Sequence, residues 1–366
     1  MKKVVIIHPP FYPVNYKFYN LLGKKVDLTM YILGEHPVIH KSWTIDSFID
    51  STTSFKLRKL GKGAIDTKTK INPKIIYWLI KDKPDIVVSV AFWIPSLYAS
   101  LFRKIIGYRF IISTNATINS EKNRTVWSKK LRILITQNTD AFISASDLTT
   151  EYLYSLAPKV KTYLSIQTID IKQWDKDIKA LPERKELRDK YNIEQNKTIL
   201  LGVGNFRALK NWERIFDFIK KNKEYYFILI GYGELKDRYI EYINDNNLQK
   251  NIKIEPKKEG IELKEYYKTS DIFVFPTLND TFGFVVPEAL ISGLPVLCSQ
   301  FAGASSLIKN GKNGYVVDPN LQFDDKVEKI KKKLSQFSRN AYLSVKELTI
   351  ENRVDEFINI FKDILK

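Results

Sequence analysis

Two acidic residues stand on either side of a predicted loop-to-helix junction. An apolar strand at 272–275 leads to Pro276, and Asp280 lies in the loop beyond it. Glu288 follows eight positions later, directly after Pro287, which a first helical turn tolerates because its missing N–H is not needed there. The free N–H groups that open a helix bind phosphate, and carboxylates accept hydrogen bonds from sugar hydroxyls. The stretch therefore predicts a site for a phosphorylated sugar, in outline a nucleotide sugar.

The residues around this site resemble those of the family-4 glycosyltransferases (glycosyl transferases group 1), retaining enzymes of the GT-B fold. The family signature is a Glu, seven residues, a second Glu followed by Ala, and then a Gly-x-Pro-Val turn. Asp280 and Glu288 occupy the two acidic positions here, Ala289 follows, and the turn spans 293–296. The resemblance covers the chain from about 187 to 319 and includes three further segments, at 202–210, 302–303 and 310–317.

The resemblance implies a role for each residue of this site. Lys210 contacts the pyrophosphate of the donor, Asp280 faces the transferred sugar and Glu288 holds the two ribose hydroxyls. The family's usual Arg is replaced by Asn205, so Arg207, two residues further along, is expected to supply the guanidinium. Lys210, Arg207 and Asp280 form the expected catalytic set. The expected donor-binding set comprises Glu288, Asn205, Gly204 and Thr281 with the backbone N–H groups of Phe282, Gly283 and Phe284.

Lys210 is predicted to open an amphipathic helix, because apolar residues follow it at helical spacing. These residues are Trp212, Ile215, Phe216 and Ile219. A lysine at the start of a helix opposes the helix dipole, which favours a function with an anion. The alternative for Lys210 and Arg207 is an ordinary surface position, and the alternative for Glu288 is an acid placed in a first turn by the dipole.

The N-terminal half matches the family less well. The loop at 9–15 is rich in proline and aromatic residues where many relatives carry a glycine-rich turn, and Asn115 lies in a segment where many carry a His. Together with 92–95, this loop suggests an acceptor face of apolar or sugar-stacking character, with Pro10, Phe11 and Asn115 on the acceptor side. The alternative is that these aromatic residues belong to the core.

Apolar, mostly β-branched runs alternate with helical stretches in both halves, which indicates an α/β protein built on parallel sheets. The predicted strands lie at 4–7, 86–90, 110–112 and 141–143, and then at 198–203, 226–230, 252–254, 272–275, 296–298 and 315–317.

The charged segment 170–197 is predicted to be a linker with a short helix at 184–191. It divides an acceptor-binding domain at 1–170 from a nucleotide-sugar-binding domain at 171–350. The GT-B resemblance implies two Rossmann-like domains facing each other across a cleft, with the final helix at 351–366 crossing back to the N-terminal domain.

The composition fits a chain with two cores, since 366 residues with 44% apolar content exceed the ~250–300 at which a single core stops growing. The lone Cys298 cannot form an internal disulfide and is interpreted as a buried thiol.

His8 ends a short first strand and is interpreted as structural. That strand has too few apolar residues for an export signal. The uncharged run 86–102 is split by Pro95 and predicts strand, turn and helix instead of a membrane span. We therefore expect a cytoplasmic protein, in solution or at the inner face of the cell membrane.

Positive charge is concentrated in the first half of the chain. Residues 1–170 hold 25 Lys and Arg against 12 Asp and Glu, whereas 171–366 hold 34 against 29. The densest basic run lies beside the apolar segment 75–80 and comprises Lys56, Arg58, Lys59, Lys62, Lys68, Lys70 and Lys74. Such a run suits an anionic membrane surface, and the alternative is a solvated face of a Lys-rich protein. Nucleic acid is not expected as a partner, because no binding motif accompanies the charge.

The sequence thus predicts a retaining, metal-independent glycosyltransferase. It would move a sugar from a nucleotide-diphosphate sugar to a glycan or lipid-linked acceptor in the synthesis of cell-surface polysaccharide or glycoconjugate. No cofactor and no metal are expected, since Lys210 and backbone amides would offset the phosphate charge. Two alternatives remain: a nucleotide-sugar 2-epimerase of the same fold, which would need an acid or base pair, and a catalytically silent GT-B module that binds a glycan or a partner.

Overall fold

The computed structural model describes residues 1–34, 44–61, 72–320 and 323–366, and the backbone alone of 36–37 and 64–65. This part of the chain forms two compact units. Unit 1 comprises Met1–Gln167 and Ile350–Lys366, and unit 2 comprises Thr168–Thr349. The boundaries drawn from the sequence lie three residues and one residue further along the chain.

Unit 1 is built on a parallel sheet. Its strands are β1 (Lys3–His8), β2 (Asp27–Ile32), β4 (Lys56–Lys59), β6 (Ile86–Val90), β7 (Arg109–Thr114), β8 (Ala141–Ser144) and β9 (Lys161–Leu164), and a separate parallel pair consists of β3 (His36–Pro37) and β5 (Ala64–Ile65). The order in the main sheet is β4-β2-β1-β6-β7-β8-β9. The sheet therefore grows outward from β1 in both directions, and its connections change direction between β1 and β6.

Helices cover both faces of this sheet. They are α1 (Tyr16–Gly23), α2 (Lys74–Asp82), α3 (Ile94–Ile106), α4 (Ile118–Glu121), α5 (Val126–Gln137) and α6 (Asp147–Leu156). Alternate side chains of each strand point to opposite faces, so two cores result. Val5, Ile7 and Val87 pack with residues of α2, α3, α5 and α6, whereas Val4 and Ile6 pack with residues of α1.

The last helix of the chain completes unit 1. In sequence it follows unit 2, but α15 (Ile350–Ile364) places Val354, Phe357 and Phe361 in the same core as α1. The rings of Phe18 and Phe357 lie 5.0 Å apart, and Ser165 Oγ donates to Glu356 Oε2 at 2.8 Å. The predicted return of the final helix to the N-terminal unit is confirmed.

Unit 2 has the same kind of architecture. Its strands are β10 (Thr198–Val203), β11 (Tyr225–Ile230), β12 (Ile252–Glu255), β13 (Ile272–Phe275), β14 (Val296–Ser299) and β15 (Gly314–Val317). Its helices are α7 (Ile171–Ala180), α8 (Arg184–Lys190), α9 (Glu213–Lys221), α10 (Lys236–Asp245), α11 (Gly260–Thr269), α12 (Val285–Ile291), α13 (Asp324–Lys332) and α14 (Leu334–Val345). The strand order is β12-β11-β10-β13-β14-β15, all parallel, so the connections change direction between β10 and β13.

The predicted α/β class with two Rossmann-like domains is confirmed, and every strand predicted from an apolar run is present within a residue or two of its expected bounds. The run 86–102 forms β6 and most of α3, as its Pro95 indicated. Three strands of the main sheet of unit 1 were not predicted, namely β2, β4 and β9, and neither was the separate pair of β3 and β5. The strands β4 and β9 are only half-buried at the sheet edges and carry lysines, so their apolar pattern is weak.

The basic run beside α2 differs from its expected form. In β4, Lys56 pairs with Asp27 at 3.0 Å, Arg58 pairs with Asp82 at 3.0 Å, and Lys59 pairs with Asp46. Three of the cations expected to face a membrane are therefore neutralised by carboxylates. Lys62, Lys68 and Lys70 lie outside the described residues.

Candidate functional site

The two predicted catalytic segments meet where the strands of unit 2 change direction. Gly204–Lys210 follows the carboxyl end of β10, and the loop containing Asp280 follows the carboxyl end of the neighbouring β13. In open parallel sheets this change of direction leaves a crevice outside the strand ends, and ligands bind there. The sheet topology therefore places both segments at the position where an α/β domain of this type has its ligand site.

Lys210 and Asp280 form an ion pair in this crevice. Lys210 Nζ lies 2.5 Å from Asp280 Oδ2, and the two side chains are 19% and 21% exposed. The ring of Phe275 contributes an apolar wall, with its centroid 5.0 Å from Nζ. The structure brings together two of the three residues of the predicted catalytic set. Because the pair is largely shielded from water, its charges act more strongly than on an open surface.

The backbone fixes this pair. Leu278 N donates to Leu209 O at 2.8 Å, and Thr277 Oγ1 donates to the same carbonyl at 3.0 Å. On the far side, Asp280 N donates to Phe301 O at 3.1 Å and Gly303 N donates to Asp280 O at 3.1 Å. The loop after β13 is thus tied both to the segment after β10 and to the segment after β14.

Lys210 does not open the helix that follows it, contrary to the prediction. It ends a 3-10 turn at Ala208–Lys210, Asn211 takes the left-handed conformation with φ 55°, and α9 begins only at Glu213. The predicted apolar stripe is correct, since Trp212, Ile215, Phe216 and Ile219 are all buried. The 3-10 turn separates the lysine from the helix and leaves its ammonium group at the carboxyl end of the sheet.

The backbone amides after Asp280 differ in whether they have a hydrogen-bond acceptor. Phe282 N donates to Asp280 Oδ1 at 3.1 Å, so this amide already has an acceptor, and its place in a phosphate cradle stays a prediction. The amides of Gly283 and Phe284 donate to no group in the part of the chain that is described. Gly283 has φ 97°, and a Cβ there would lie 2.6 Å from the Phe275 ring. Glycine is thus required by conformation and by packing, and two amides remain available at the start of α12.

Glu288 lies in the first turn of α12 and is only partly exposed. Tyr267 Oη donates to its Oε2 at 2.8 Å. Burial raises the pKa of Glu288 to about 7, and the hydrogen bond from Tyr267 and the charge of Lys264 act in the opposite direction. Burial beside this carboxylate also raises the pKa of Tyr267 well above its usual value, so Tyr267 stays protonated and donates.

Helix α7 supports this pair from behind. Trp174 Nε1 donates to Ser292 Oγ at 2.9 Å, Ser292 Oγ donates to Glu288 O at 2.8 Å, and the rings of Trp174 and Tyr267 meet edge to face at 5.5 Å. Neither Tyr267 nor Trp174 was predicted to belong to the site. No sequence signal could have found them, because both lie in helices whose apolar positions look like ordinary core.

The segment Gly204–Arg207 is held against the end of β11. Phe206 N donates to Tyr232 O at 2.7 Å, and Trp212 Nε1 donates to Asn205 O at 3.1 Å. A Cβ on Gly231 would lie 1.9 Å from Gly204 O. Arg207 is exposed and makes no ion pair with any described residue, so the structure does not join it to Lys210 or Asp280. Thr281 lies in the loop between Asp280 and Gly283, as expected.

In unit 1 the acceptor-side residues are only partly placed as expected. Phe11 is fully buried and packs edge to face on Tyr19 at 5.0 Å, so its ring is a core ring and offers no stacking face. Pro10 is also buried. Asn115 follows the carboxyl end of β7 and is half-buried. The expected sugar-stacking role of Phe11 is therefore wrong, because the loop after β1 turns the Phe11 ring inward.

Two other residues of unit 1, His8 and Ala91, lie at the ends of strands β1 and β6. His8 is buried against Phe11 and Tyr19, and burial lowers the pKa of its imidazole to about 4, as a structural histidine requires. Ala91, which follows β6, has φ 82°. This left-handed conformation lies beside the change of direction between β1 and β6. The sequence does not predict it, because alanine rarely adopts this conformation.

The described residues contain no group of three or more His, Cys, Asp and Glu side chains that could hold a metal ion. Cys298 is free and buried, as predicted. In the part of the chain with described structure, every helix is too short or too polar to cross a bilayer.

Comparison with known proteins finds a family match within the C-terminal unit. Residues 183–347 match the family model described as glycosyl transferases group 1. The chain is 24% identical over 266 residues to the sulfoquinovosyl transferase SQD2 of Arabidopsis thaliana, covering 68% of this chain and 50% of that protein. It is 27% identical over 198 residues to the UDP-Gal:alpha-D-GlcNAc-diphosphoundecaprenol alpha-1,3-galactosyltransferase of Escherichia coli, covering 49% of each chain. The chain matches between 39% and 61% of the length of these and two other curated relatives.

Solved structures extend the similarity over the whole chain. The structure of Anabaena HepE in complex with UDP aligns with a TM-score of 0.78 and 12% identity, covering 99% of this chain and 100% of that chain. At this identity the likeness concerns the fold, which is GT-B.

Proposed function

Because residues 183–347 match the model of glycosyl transferases group 1, we propose that the protein belongs to this family and is a retaining, metal-independent glycosyltransferase. It transfers a sugar from a nucleotide-diphosphate sugar to a glycan or lipid-linked acceptor. The observation that carries the proposal is the shielded pair of Lys210 and Asp280 at the ligand-binding edge of the unit 2 sheet.

Lys210 stabilises the departing diphosphate. As the bond between the anomeric carbon and the phosphate oxygen breaks, negative charge grows on the leaving group, and an ammonium held in a shielded crevice lowers the energy of that state. The available amides of Gly283 and Phe284 add two donors on the same loop. Arg207, exposed on the segment before Lys210, is the second cation proposed for the diphosphate.

Asp280 binds the transferred sugar and does not attack it. One carboxylate oxygen faces Lys210 Nζ and the other accepts from Phe282 N, so the side chain is held in place. Its remaining lone pairs accept from sugar hydroxyls and stabilise positive charge on the sugar ring. With no protein nucleophile, the acceptor oxygen bonds to the anomeric carbon on the side from which the diphosphate leaves. Attack from this side retains the configuration of the anomeric carbon. The acceptor's proton passes to a phosphate oxygen of the leaving group.

Glu288 binds the ribose of the donor. An ionised carboxylate accepts from two neighbouring hydroxyls at once, and the hydrogen bond from Tyr267 fixes one oxygen of this carboxylate. Asn205, Gly204 and Thr281 complete the proposed donor site.

The acceptor proposal draws on relatives and on unit 1. The name of the Escherichia coli relative specifies a sugar linked to diphosphoundecaprenol as its acceptor. We carry over only the class, a glycan or lipid-linked acceptor of surface polysaccharide or glycoconjugate synthesis. Asn115 and the loop containing Pro10 lie at the carboxyl end of the unit 1 sheet and are proposed to contact it, with Phe11 supporting the loop from the core.

The test combines donor binding with turnover. We expect the purified protein to be stabilised by one class of nucleotide sugar, by ~2.7 kcal/mol at a hundred times its Kd, and to transfer the sugar in excess EDTA. Lys210→Ala should keep the fold and lose about 100- to 1000-fold in turnover. Lys220→Ala, an exposed lysine on the outer side of α9, serves as the matched control and should behave as the wild type.

Several outcomes would contradict the proposal. Near-normal turnover of Lys210→Ala would remove the lysine from the site, and activity that EDTA abolishes and Mg²⁺ restores would exclude metal independence. Conversion of the donor to its epimer without an acceptor would favour the 2-epimerase, and donor binding without any reaction would favour a silent module.

A further inference from the structure

Three neighbouring helices of unit 1 form one continuous layer on the sheet. Helix α3 packs against both α2 and α5. Each turns apolar residues inward, including Ile75 and Leu79 from α2, Ala99 from α3 and Ile135 from α5. The opposite surfaces of α2, α3 and α5 are here called the three-helix face.

The three-helix face is unusually apolar for a surface in water. Ile105 is 78% exposed, Val126 70% and Trp127 64%. The other exposed apolar side chains on these helices are Tyr77, Ile80, Leu101, Ile133 and Leu134. Single exposed apolar residues are ordinary, but a helix that faces water normally has a polar outer side. Eight such residues on three adjacent helices indicate a surface that is covered by something apolar.

The charge on the same helices is almost entirely positive. They hold seven Lys and Arg and one acid, Asp82. Asp82 is already paired with Arg58 and accepts from Tyr31. Arg103 and Arg132 are paired with Asp140 and Glu121. Five exposed lysines make no ion pair with any residue in the described ranges: Lys74, Lys81, Lys104, Lys129 and Lys130. Their charge is left for an anionic partner.

We infer that the three-helix face is a docking surface for an anionic lipid bilayer. Exposed lysines and exposed apolar side chains lie close together on each helix, as in Val126-Trp127-Ser128-Lys129-Lys130 of α5, which is the composition of surfaces that lie in the membrane interface. Tryptophan is favoured at this level because its ring is amphipathic. Since no described helix can cross a bilayer, the attachment is peripheral. A folded acidic protein could pair with the lysines. It would also have to present an apolar surface that matches the exposed apolar residues between them, whereas a bilayer offers both anionic headgroups and an apolar interior.

This surface differs from the one expected from the sequence. Among the described residues of the expected basic run, Lys56, Arg58 and Lys59 are paired with carboxylates, and only Lys74 lies on the three-helix face. Lys56 and Lys59 are therefore a control: they are lysines of the same basic run, but since they are already paired, their replacement should not change binding to lipid.

The test is co-sedimentation with vesicles of phosphatidylcholine containing graded amounts of phosphatidylglycerol. Wild type should bind in proportion to the anionic lipid and be released at 1 M salt, where the Debye length falls to ~3 Å. Lys129→Gln with Lys130→Gln should lower partitioning roughly 30-fold, the effect of two near-surface lysines. Ile105→Gln with Trp127→Gln should also lower it, even at low salt. Lys56→Gln with Lys59→Gln should bind as wild type, and so should Leu343→Gln, an exposed apolar residue of unit 2.

Several results would overturn the inference. Wild type that stays in solution with every lipid mixture, or a Lys129, Lys130 variant that sediments as well as wild type, would show that the three-helix face does not bind lipid. Binding to an acidic protein but not to vesicles would replace the bilayer with a protein partner. Stabilisation by donor nucleotide should be the same in all these variants, so failure of docking and failure of the proposed donor site can be told apart.

Discussion

At the scale of single residues, Glu288 has a protonation state that matters near neutral pH. Burial raises its pKa to about 7, and the hydrogen bond from Tyr267 works against that rise. The ionised form accepts from both ribose hydroxyls, whereas the protonated form gives up part of this capacity. Tyr267 is therefore a positioning residue that sets how much of the carboxylate is ionised.

Donor affinity should consequently increase as pH rises through about 7. Tyr267→Phe removes the hydrogen bond that favours the ionised form, so the midpoint of this increase should move to higher pH, with donor KM changed more than kcat. Tyr242→Phe, which removes a hydrogen bond to Asp217 on the surface of unit 2, is the control and should leave the midpoint where it is. The measurement is donor KM across the pH range, and a midpoint unmoved in Tyr267→Phe would exclude this role.

The sequence predicts the acids of the donor site better than it predicts their partners. The place of Asp280 in the loop after β13 and the place of Glu288 in a first helical turn follow from motif spacing, whereas the ion pair of Lys210 with Asp280 is seen only in the structure. The contact of Tyr267 with Glu288 depends on how α11 packs beside α12, and side-chain packing between helices leaves no trace in local sequence. The burial of Phe11 has the same cause, since a loop of aromatic residues can turn its rings inward or outward.

At the scale of elements, the end of β6 is held in a strained conformation. Ala91 has φ 82°, its N–H donates to Ser113 O at 3.0 Å, and its carbonyl accepts from Ser96 Oγ at 3.0 Å. Ser96 Oγ in turn lies 2.6 Å from Ser89 Oγ in the buried strand. Non-glycine residues in such regions cost of the order of 1–3 kcal/mol and persist where the surroundings impose them, often at functional sites.

Replacing Ala91 by glycine should therefore stabilise the protein. Relief of the strain exceeds the loss of chain entropy, and we expect a gain of about 0.5–1 kcal/mol. Ala157→Gly, at a position with an ordinary φ of −154°, should destabilise by about 0.5–1 kcal/mol. Denaturant midpoints of the two variants decide the point, and equal destabilisation of both would mean that Ala91 is not strained.

Elements with two buried faces are the ones the sequence defines clearly. Strands such as β10 and β13 are continuous apolar runs, as central strands of parallel sheets must be. The edge strands β4 and β9 carry lysines, and their place in the sheet depends on pairing with β2 and β8. The helix expected at Lys210 begins three residues late because Asn211 adopts a left-handed conformation that local apolar spacing does not record.

At the scale of the whole molecule, unit 2 is a continuous segment inserted into unit 1. The chain enters it after Gln167 and leaves it before Ile350. Each unit has its own sheet, and the core of unit 1 includes Val354, Phe357, Ile360 and Phe361 from α15.

A fragment of residues 168–349 should therefore fold alone and be stabilised by the donor nucleotide. A fragment of residues 1–167 should not fold, because it leaves uncovered a core surface that those four side chains bury, at about 1.5–3 kcal/mol each. Adding residues 350–366 to it through a flexible linker should restore folding. Circular dichroism and thermal unfolding test the three fragments, and a stable 1–167 fragment would show that α15 is dispensable.

The late position of α15 also bears on how the protein is made. A ribosome adds ~5–20 residues per second, so the 182 residues of unit 2 delay the arrival of this helix by roughly 10–40 seconds. During that interval Phe18, Tyr19 and Leu22 of α1 lack the helix that covers them in the finished protein. We therefore expect nascent chains at this stage to offer an apolar surface to chaperones while unit 2 folds.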